Sequence, residues 1–234
     1  MARAGSGSWL DSLSAGRTEL GRSSTAERVA AVLRTRVMEG DLLPGLRLSE
    51  EAIGGVLGVS RNTLREAFRL LTHERLLVHE LGRGVFVRTP GIADVVDLYA
   101  ARRVIECGAL RSWTSASERA RDDVRDAVRG QGEAAAAERW TDVATGNIRF
   151  HLAITRLVGS ARLAEEVERL LAELRLMFHH MGDPREFHED YVRLNRGIVA
   201  LLDADRVADA EAELARYFTT AEQHLLTRMR QSPA

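Results

Sequence analysis

The stretch Gly58-Val59-Ser60-Arg61 constrains the fold more than any other part of the chain. Gly58 is typical of a helix C-terminus and Ser60 of a helix N-cap, so two helices must meet here at a tight corner plugged by Val59. Beyond the corner, apolar residues recur at the spacing of a one-sided helix: Leu64, Ala67, Phe68 and Leu71. The pattern predicts a helix-turn-helix.

The first turn of the second helix carries Arg61 and Asn62, and Arg65 follows one turn later. Residues at this end of a helix-turn-helix reach base edges in the DNA major groove. Arginine bonds guanine O6 and N7 together, and asparagine does the same for adenine. A single exposed arginine is more often part of a solvated helix face, but here the turn, the apolar stripe and the cations agree. We therefore predict double-stranded DNA as the partner.

The flanking residues complete a small mixed domain. A first helix is predicted over Thr25–Glu39, with a buried face formed by Val29, Val32, Leu33 and Val37. After an extended connector over 42–48, a second helix capped by Ser49 is predicted to bury Ala52, Ile53, Val56 and Leu57. Two strands, 76–80 and 85–88, flank Leu81-Gly82-Arg83-Gly84, which predicts a hairpin with a cation at its tip. Three helices and a hairpin form a winged helix.

The chain divides at Thr89-Pro90-Gly91, where proline and glycine oppose helix continuation. Residues 1–22, rich in Gly, Ser and Arg, are predicted to be a disordered leader, and residues 23–90 the winged helix-turn-helix. Residues 91–234 are helical in pattern, with breaks at 115–117, 130–132, 159–160, 182–184 and 203–205. The predicted fold is mainly α: the winged domain followed by an all-α antiparallel six-helix bundle.

The lengths of the apolar runs argue against a membrane-spanning protein. No apolar run approaches the roughly 20 residues of a membrane span, and no signal segment is recognisable, so a cytoplasmic location is expected. The single cysteine, Cys107, is predicted to be a buried core thiol. Net charge is −1, but residues 1–90 hold 13 arginines against 10 acidic residues, a mild basic excess in the DNA-binding part.

The motifs of the first domain resemble the GntR family of bacterial regulators. The resemblance rests on Leu48-Ser49-Glu50, Gly58-Val59-Ser60-Arg61, Leu64-Arg65-Glu66-Ala67 and the wing Gly82-Arg83-Gly84-Val85-Phe86-Val87, in matching order and spacing. It implies DNA contacts from the recognition helix and the wing tip, namely from Arg61, Asn62, Thr63, Arg65, Gly82 and Arg83.

The second domain resembles the FCD domain of the FadR-like branch of that family. FCD domains that bind a divalent metal supply an acidic residue and three histidines around a central cavity. The matching positions here are Asn147, His151, Asn195 and Tyr217. Only the histidine remains, and two amides and a phenol are poor transition-metal ligands, so we expect the metal site to be degraded and no cofactor to bind. His179, His180 and His188 do not fit the pattern.

The same positions predict a polar cavity for water or a small effector. Arg102 could bind an organic acid there, together with Asn147, His151, Asn195 and Tyr217. Two simpler interpretations stay open: Arg102 pairs with Glu106 on a solvated helix face, and His151 is a core histidine whose partners satisfy it.

The resemblance implies a homodimer formed through the helical domain. Apolar residues that could serve either the core or the dimer interface are Val95, Leu98, Val104, Ile105 and Leu110. The predicted function is an effector-responsive repressor that binds a palindromic operator as a dimer. Alternatives are an architectural DNA-binding protein without effector, or an enzyme such as a histidine-dependent hydrolase. No nucleophile elbow, phosphate loop or CxxC pair supports the enzyme.

Overall fold

The computed structural model describes residues 24–181 and 183–231, arranged as two packed units. The predicted leader, residues 1–22, lies outside this range. The N-terminal unit comprises α1 (Thr25–Glu39), β1 (Arg47–Leu48), α2 (Glu50–Leu57), α3 (Arg61–His73), β2 (Leu77–Glu80) and β3 (Gly84–Val87). The strands form an antiparallel sheet in the order β1-β3-β2. Three helices and this sheet make up the winged helix predicted from the sequence.

Serine side chains start each helix of the N-terminal unit. Ser24 accepts a hydrogen bond from Glu27 N–H while the Glu27 carboxylate accepts one from Ser24 N–H, which is a capping box. Ser49 caps α2 and Ser60 caps α3. Gly58 ends α2 in the left-handed conformation, with φ of 64°. The corner that the sequence predicted is therefore present, and Val59 packs against the core beneath it.

The core of the N-terminal unit differs from the prediction in two helices. Leu64, Ala67, Phe68 and Leu71 are buried as predicted. Val32 is exposed, because α1 turns the stripe Ala26, Val29, Ala30, Leu33 and Val37 inward instead. Helix α2 buries no residue fully, since it lies on the outside of the unit. Ile53 and Leu57 only partly pack against the core. Ala52 is exposed and Val56 is 86% exposed, so the predicted burial of both was wrong.

The helical unit contains six α-helices in its described part. They are α4 (Ile92–Leu110), α5 (Glu118–Ala136), α6 (Trp140–Arg156), α7 (Ala161–Met177), α8 (Pro184–Asp203) and α9 (Val207–Gln231), with a 3₁₀ helix (Phe178–Met181) between α7 and α8. None of the helices described is both long and apolar enough to cross a membrane. Cys107 is buried in the core of this unit.

The predicted break at residues 130–132 was wrong, because α5 runs through it without interruption. Gly132 and Gly146 lie in close contacts here, whereas a Cβ at Gly130 would meet nothing within 4 Å. A Cβ at Gly132 would collide with the Arg196 guanidinium of α8, and a Cβ at Gly146 of α6 would lie only 3.0 Å from the Gln131 Cβ. The chain instead turns after Ala136, where Glu138 has a φ of 55°. This continuity places Gln131 in the middle of the bundle.

Helix α7 joins the two units. Ala172 and Leu176 of α7 are buried in the hydrophobic core of the N-terminal unit, together with residues of α1 and α3. Polar contacts reinforce the junction: Arg88, which follows β3, donates to Glu173 at 2.7 Å and to Asp94 of α4 at 2.6 Å. The N-terminal unit therefore completes its core with side chains from the helical unit.

Candidate functional site

The first turn of α3 is polar and faces solvent. Ser60 Oγ accepts a hydrogen bond from the Thr63 N–H at 3.1 Å, and the hydroxyl oxygens of the two residues lie 2.8 Å apart. The Thr63 side chain is half-buried. Arg61 and Asn62 are exposed, and no ion pair within the described residues engages Arg61. Both side chains are therefore accessible to a DNA duplex.

Arg65 lies one turn further along α3 and is held by a carboxylate. Its Nε donates to both Glu50 carboxylate oxygens, at 3.1 and 3.0 Å, while the side chain stays 66% exposed. Within the described residues, the hydrogen bonds of the Arg65 guanidinium come from Nε and none comes from its two terminal nitrogens. The ion pair therefore fixes the guanidinium from one side and leaves its outer edge open for an acceptor.

The wing carries Arg83 at its tip. Gly82 adopts φ of 74° and Gly84 φ of 115°, a conformation that glycine permits in so tight a turn. Arg83 is exposed, pairs with Glu80 and lies over the Phe86 ring at 5.5 Å from its centroid. The tip thus presents a cation whose guanidinium lies over an aromatic ring.

Arg47 of β1 is a cation at this surface that the sequence reasoning missed. It is exposed, it is the cross-strand partner of Phe86, and its Nε lies 3.3 Å from the position of a Cβ at Gly84. Arg47, Gly84 and Glu50 line one surface groove, and Glu50 is also the partner of Arg65. Glu50 therefore contacts both the groove beside the wing and Arg65 of α3. No sequence signal marked Arg47, since it entered the prediction only as part of a connector.

A second polar site lies inside the helical unit, at Arg102, Glu106 and His151. The Arg102 Nε donates to Glu106 Oε1 at 2.7 Å, and His151 Nδ1 lies 2.6 Å from Glu106 Oε2. The Arg102 guanidinium also stacks over the Phe218 and Tyr99 rings, at 4.7 and 5.4 Å from their centroids. Arg102 is 1% exposed and Glu106 0%. The interpretation that they pair on a solvated face was wrong: they pair, but inside the bundle.

The other predicted positions extend this site into one hydrogen-bond network. His151 Nε2 and Asn147 Oδ1 each lie 3.1 Å from the Tyr217 hydroxyl, whose single proton is donated to one of the two. Asn195 Nδ2 donates to Asn147 Oδ1 at 2.8 Å and to Gln131 Oε1 at 2.9 Å. The structure thus brings Asn147, His151, Asn195 and Tyr217 together. The sequence reasoning missed Gln131 because it placed that residue in a helix break.

Electrostatics keep this network neutral overall near pH 7. Burial acts to raise the pKa of Glu106, but the Arg102 charge and His151 outweigh it and hold that pKa below its ordinary value of 4.5. Burial lowers the pKa of His151 below 6.5, although Glu106 opposes the shift. Burial raises the pKa of the Tyr217 phenol far above 10. One cation and one anion therefore compensate each other, next to a neutral imidazole and a neutral phenol.

These residues do not fit the divalent metal of metal-binding FCD domains. The Tyr217 phenol stays protonated, Asn195 turns its amide nitrogen toward Asn147, and each ring nitrogen of His151 lies within hydrogen-bond distance of a protein oxygen. Transition metals favour imidazole, thiolate or carboxylate donors. Within the described residues, no group of three or more His, Cys, Asp or Glu side chains is placed to hold a metal ion.

Comparisons with known proteins agree with this architecture. Residues 25–87 match the bacterial regulatory proteins of the gntR family, and residues 97–220 match the FCD domain. A crystal structure from Rhodococcus sp. RHA1, described as a GntR transcriptional regulator, is 40% identical and superimposes with a TM-score of 0.81, covering 88% of this chain and 99% of that one.

Two relatives compared by sequence are also regulators. The HTH-type transcriptional regulator BphR of Paraburkholderia xenovorans is 28% identical over 191 residues, which cover 76% of each chain. The gluconate operon transcriptional repressor of Bacillus licheniformis is 34% identical over 88 residues, 37% of this chain and 35% of that one. The chain belongs to the GntR family of bacterial regulatory proteins, as a transcriptional regulator with a DNA-binding winged helix-turn-helix followed by an FCD domain.

Proposed function

We propose that the protein is a cytoplasmic, effector-responsive repressor that binds a palindromic operator as a homodimer. The observation that carries this proposal is the exposed first turn of α3, where Arg61, Asn62 and the outer edge of Arg65 face away from the rest of the chain. The repressor name of the Bacillus licheniformis relative, whose match covers 37% of this chain, supports repression. Two-fold pairing of such modules matches the symmetry of a palindromic operator.

Alanine substitutions in the recognition helix test the DNA contacts. Arg61→Ala and Arg65→Ala are each expected to weaken binding to an operator selected from a random DNA library by about 1–3 kcal/mol and to relax base preference at one position. Fluorescence anisotropy at fixed salt measures the affinity. Arg193→Ala, which removes an exposed arginine on α8 of the helical unit, serves as the matched control. Wild-type affinity in both recognition-helix variants would refute the assignment.

The architectural alternative predicts a different dependence on sequence. A regulator that reads bases binds its selected operator at least about 10³-fold more tightly than scrambled DNA of equal length, whereas a backbone binder holds both equally. The two competing DNAs are compared over a salt series, because phosphate contacts weaken as salt rises. Equal affinities throughout the series would favour the architectural protein.

An exposed apolar stripe on α4 supports dimerisation through the helical unit. Val95, Leu98 and Leu110 are buried and Ile105 is partly buried. Val104, by contrast, is 77% exposed and continues Val96 and Ala100 at four-residue spacing along one face. We expect Val104→Arg to convert a dimer to a monomer of 25.9 kDa in light scattering after gel filtration. Val56→Arg, a matched change on α2, should leave the dimer intact. A dimeric Val104→Arg protein would exclude this face.

We propose that the buried network works without a divalent metal and that the protein is not an enzyme. The amide and phenol donors described above support the first point. The second is supported by His151, which is fully buried with both ring nitrogens engaged, so a substrate has no access to it as a base. We expect neither EDTA nor added Zn²⁺ or Mn²⁺ to shift the Tm. A metal-dependent rise in Tm, with stoichiometric metal in purified protein, would contradict this.

A further inference from the structure

Arg175 of α7 differs from the other arginines that are withdrawn from solvent. Within the described residues, each of the other arginines that is buried or half-buried has a carboxylate oxygen within 4.0 Å: Arg34, Arg88, Arg102, Arg103, Arg121, Arg125, Arg169 and Arg228. Arg175 has none. Its terminal nitrogen Nη2 instead donates a hydrogen bond to the backbone carbonyl of Glu39, at the end of α1, at 3.1 Å.

The guanidinium of Arg175 therefore retains unused binding capacity. A guanidinium carries five N–H donors and keeps its charge at any physiological pH. Burial lowers the pKa of Arg175, and Asp41, beyond ion-pair distance, only partly opposes this. Holding an unpaired charge away from water is unfavourable, so an anion that supplies the missing acceptors would bind favourably.

Arg175 borders a cavity of about 200 Å³ between the two units. The N-terminal unit contributes Gly40, Leu42 and Pro44 to its wall, and the helical unit contributes apolar side chains, including those of Leu176 and Met181. Gly40 makes room for the charge, because a Cβ there would collide with the Arg175 guanidinium. An apolar cavity of about 150 Å³ holds benzene, so this one has the volume for a six-membered ring with a small substituent.

His188 of α8 lies in the same wall and has an unsatisfied nitrogen. The side chain is 2% exposed, and its Nδ1 has no hydrogen-bond partner within the described structure. Burial, helped by the nearby Arg175 charge, lowers the pKa of His188 to about 3, so the imidazole is neutral at pH 7. Buried polar groups normally have partners, and an acceptor oxygen that reaches this nitrogen would supply one.

We propose that the cavity between the units binds a small organic carboxylate, with its carboxylate on Arg175 and His188 and a ring-sized apolar body against Leu42, Leu176 and Met181. The site is separate from the buried network, where Arg102 pairs with Glu106 through Nε. A ligand here contacts both units at once, so it favours the arrangement of the recognition helix seen in this structure. That regulatory consequence rests on the proposed function, whereas binding itself does not.

Benzoate, a ring with one carboxylate, is the probe for this site. We expect benzoate to raise the Tm of the full-length protein progressively with concentration, and benzamide, which has the same shape without the charge, to leave it unchanged. Arg175→Gln should abolish the benzoate shift. Arg162→Gln, an exposed position on the same helix, should retain it. DNA is absent from this assay, so its outcome is independent of whether the recognition helix reads an operator.

A second measurement needs no variant and covers the case in which Arg175→Gln does not fold. In wild-type protein with labelled methyl groups, the benzoate ring protons should give NOEs to the methyl groups of Met181 and Leu176. The proposal is overturned if benzoate does not stabilise the wild type, if the shift persists in folded Arg175→Gln protein, or if the NOEs come from other parts of the molecule.

Discussion

Glu106→Gln is expected to lower the free energy of unfolding by about 3–5 kcal/mol at pH 7, because it leaves Arg102 as an uncompensated charge in the core. The glutamine keeps the volume of the side chain, so the effect reports charge and not a cavity. Urea unfolding followed by tryptophan fluorescence, to which the buried Trp113 and the half-buried Trp140 of the helical unit contribute, measures it.

Two further variants distinguish the effect of breaking a buried ion pair from the effect of breaking a partly exposed one. Glu222→Gln breaks the partly exposed pair with Arg103, 3.1 Å away on the neighbouring position of α4, and is expected to change stability by at most about 1 kcal/mol. The double variant Arg102→Met with Glu106→Leu removes both charges and should recover much of the loss. A loss of similar size in Glu106→Gln and Glu222→Gln would contradict the argument.

The same network sets the direction of the pH dependence. The folded pKa values of Glu106 and His151 both lie below their ordinary values of 4.5 and 6.5, so the unfolded chain takes up protons first as the pH falls. The His151 contribution to instability begins below about pH 6.5. The stability that Glu106 provides is present above about pH 4.5 and is lost as the pH falls through its lowered folded value.

Leu176→Ala is expected to destabilise the N-terminal unit by about 2–5 kcal/mol, although the residue belongs to the helical unit. Its side chain is 1% exposed and packs in the core that contains Leu64 and Phe68 of the recognition helix. Hydrogen exchange of the α1 and α3 amides should therefore accelerate in the variant.

The control for Leu176→Ala is Leu81→Ala at the wing, where the leucine is 93% exposed and truncation should change stability by less than about 0.5 kcal/mol. If exchange in Leu176→Ala accelerated in the helical unit while α1 and α3 stayed protected, the two units would have independent cores.

Local signals predicted the recognition helix well because capping, turn and apolar spacing all act within a few residues. Ser60, Leu64, Phe68 and Leu71 take the positions that the spacing requires. Helix α2 was less predictable. Its apolar residues look like a buried stripe, yet Val56 faces outward because the helix packs by only one edge.

Features that depend on contacts between distant segments escaped the sequence. Gly132 looked like a helix break, whereas it admits Arg196 from another helix. Spacing along α4 put Arg102 beside Glu106 but gave no information on burial, which depends on the α9 residues Tyr217 and Phe218 packing over them. Arg175 and His188 carried no signal, because their shared cavity forms only where the two units meet.

The ion pair between Glu50 and Arg65 has a consequence for the DNA sequence preference that we propose. Ordering a free, rotamer-rich side chain at an interface costs about 0.5–1.5 kcal/mol. Arg65 has already lost part of that freedom before any duplex arrives, since Glu50 restricts its rotamers. At the DNA contact that we propose for Arg65, such preorganisation would let the side chain bind a guanine without an extended conformational search and would penalise a base that requires the guanidinium to turn elsewhere.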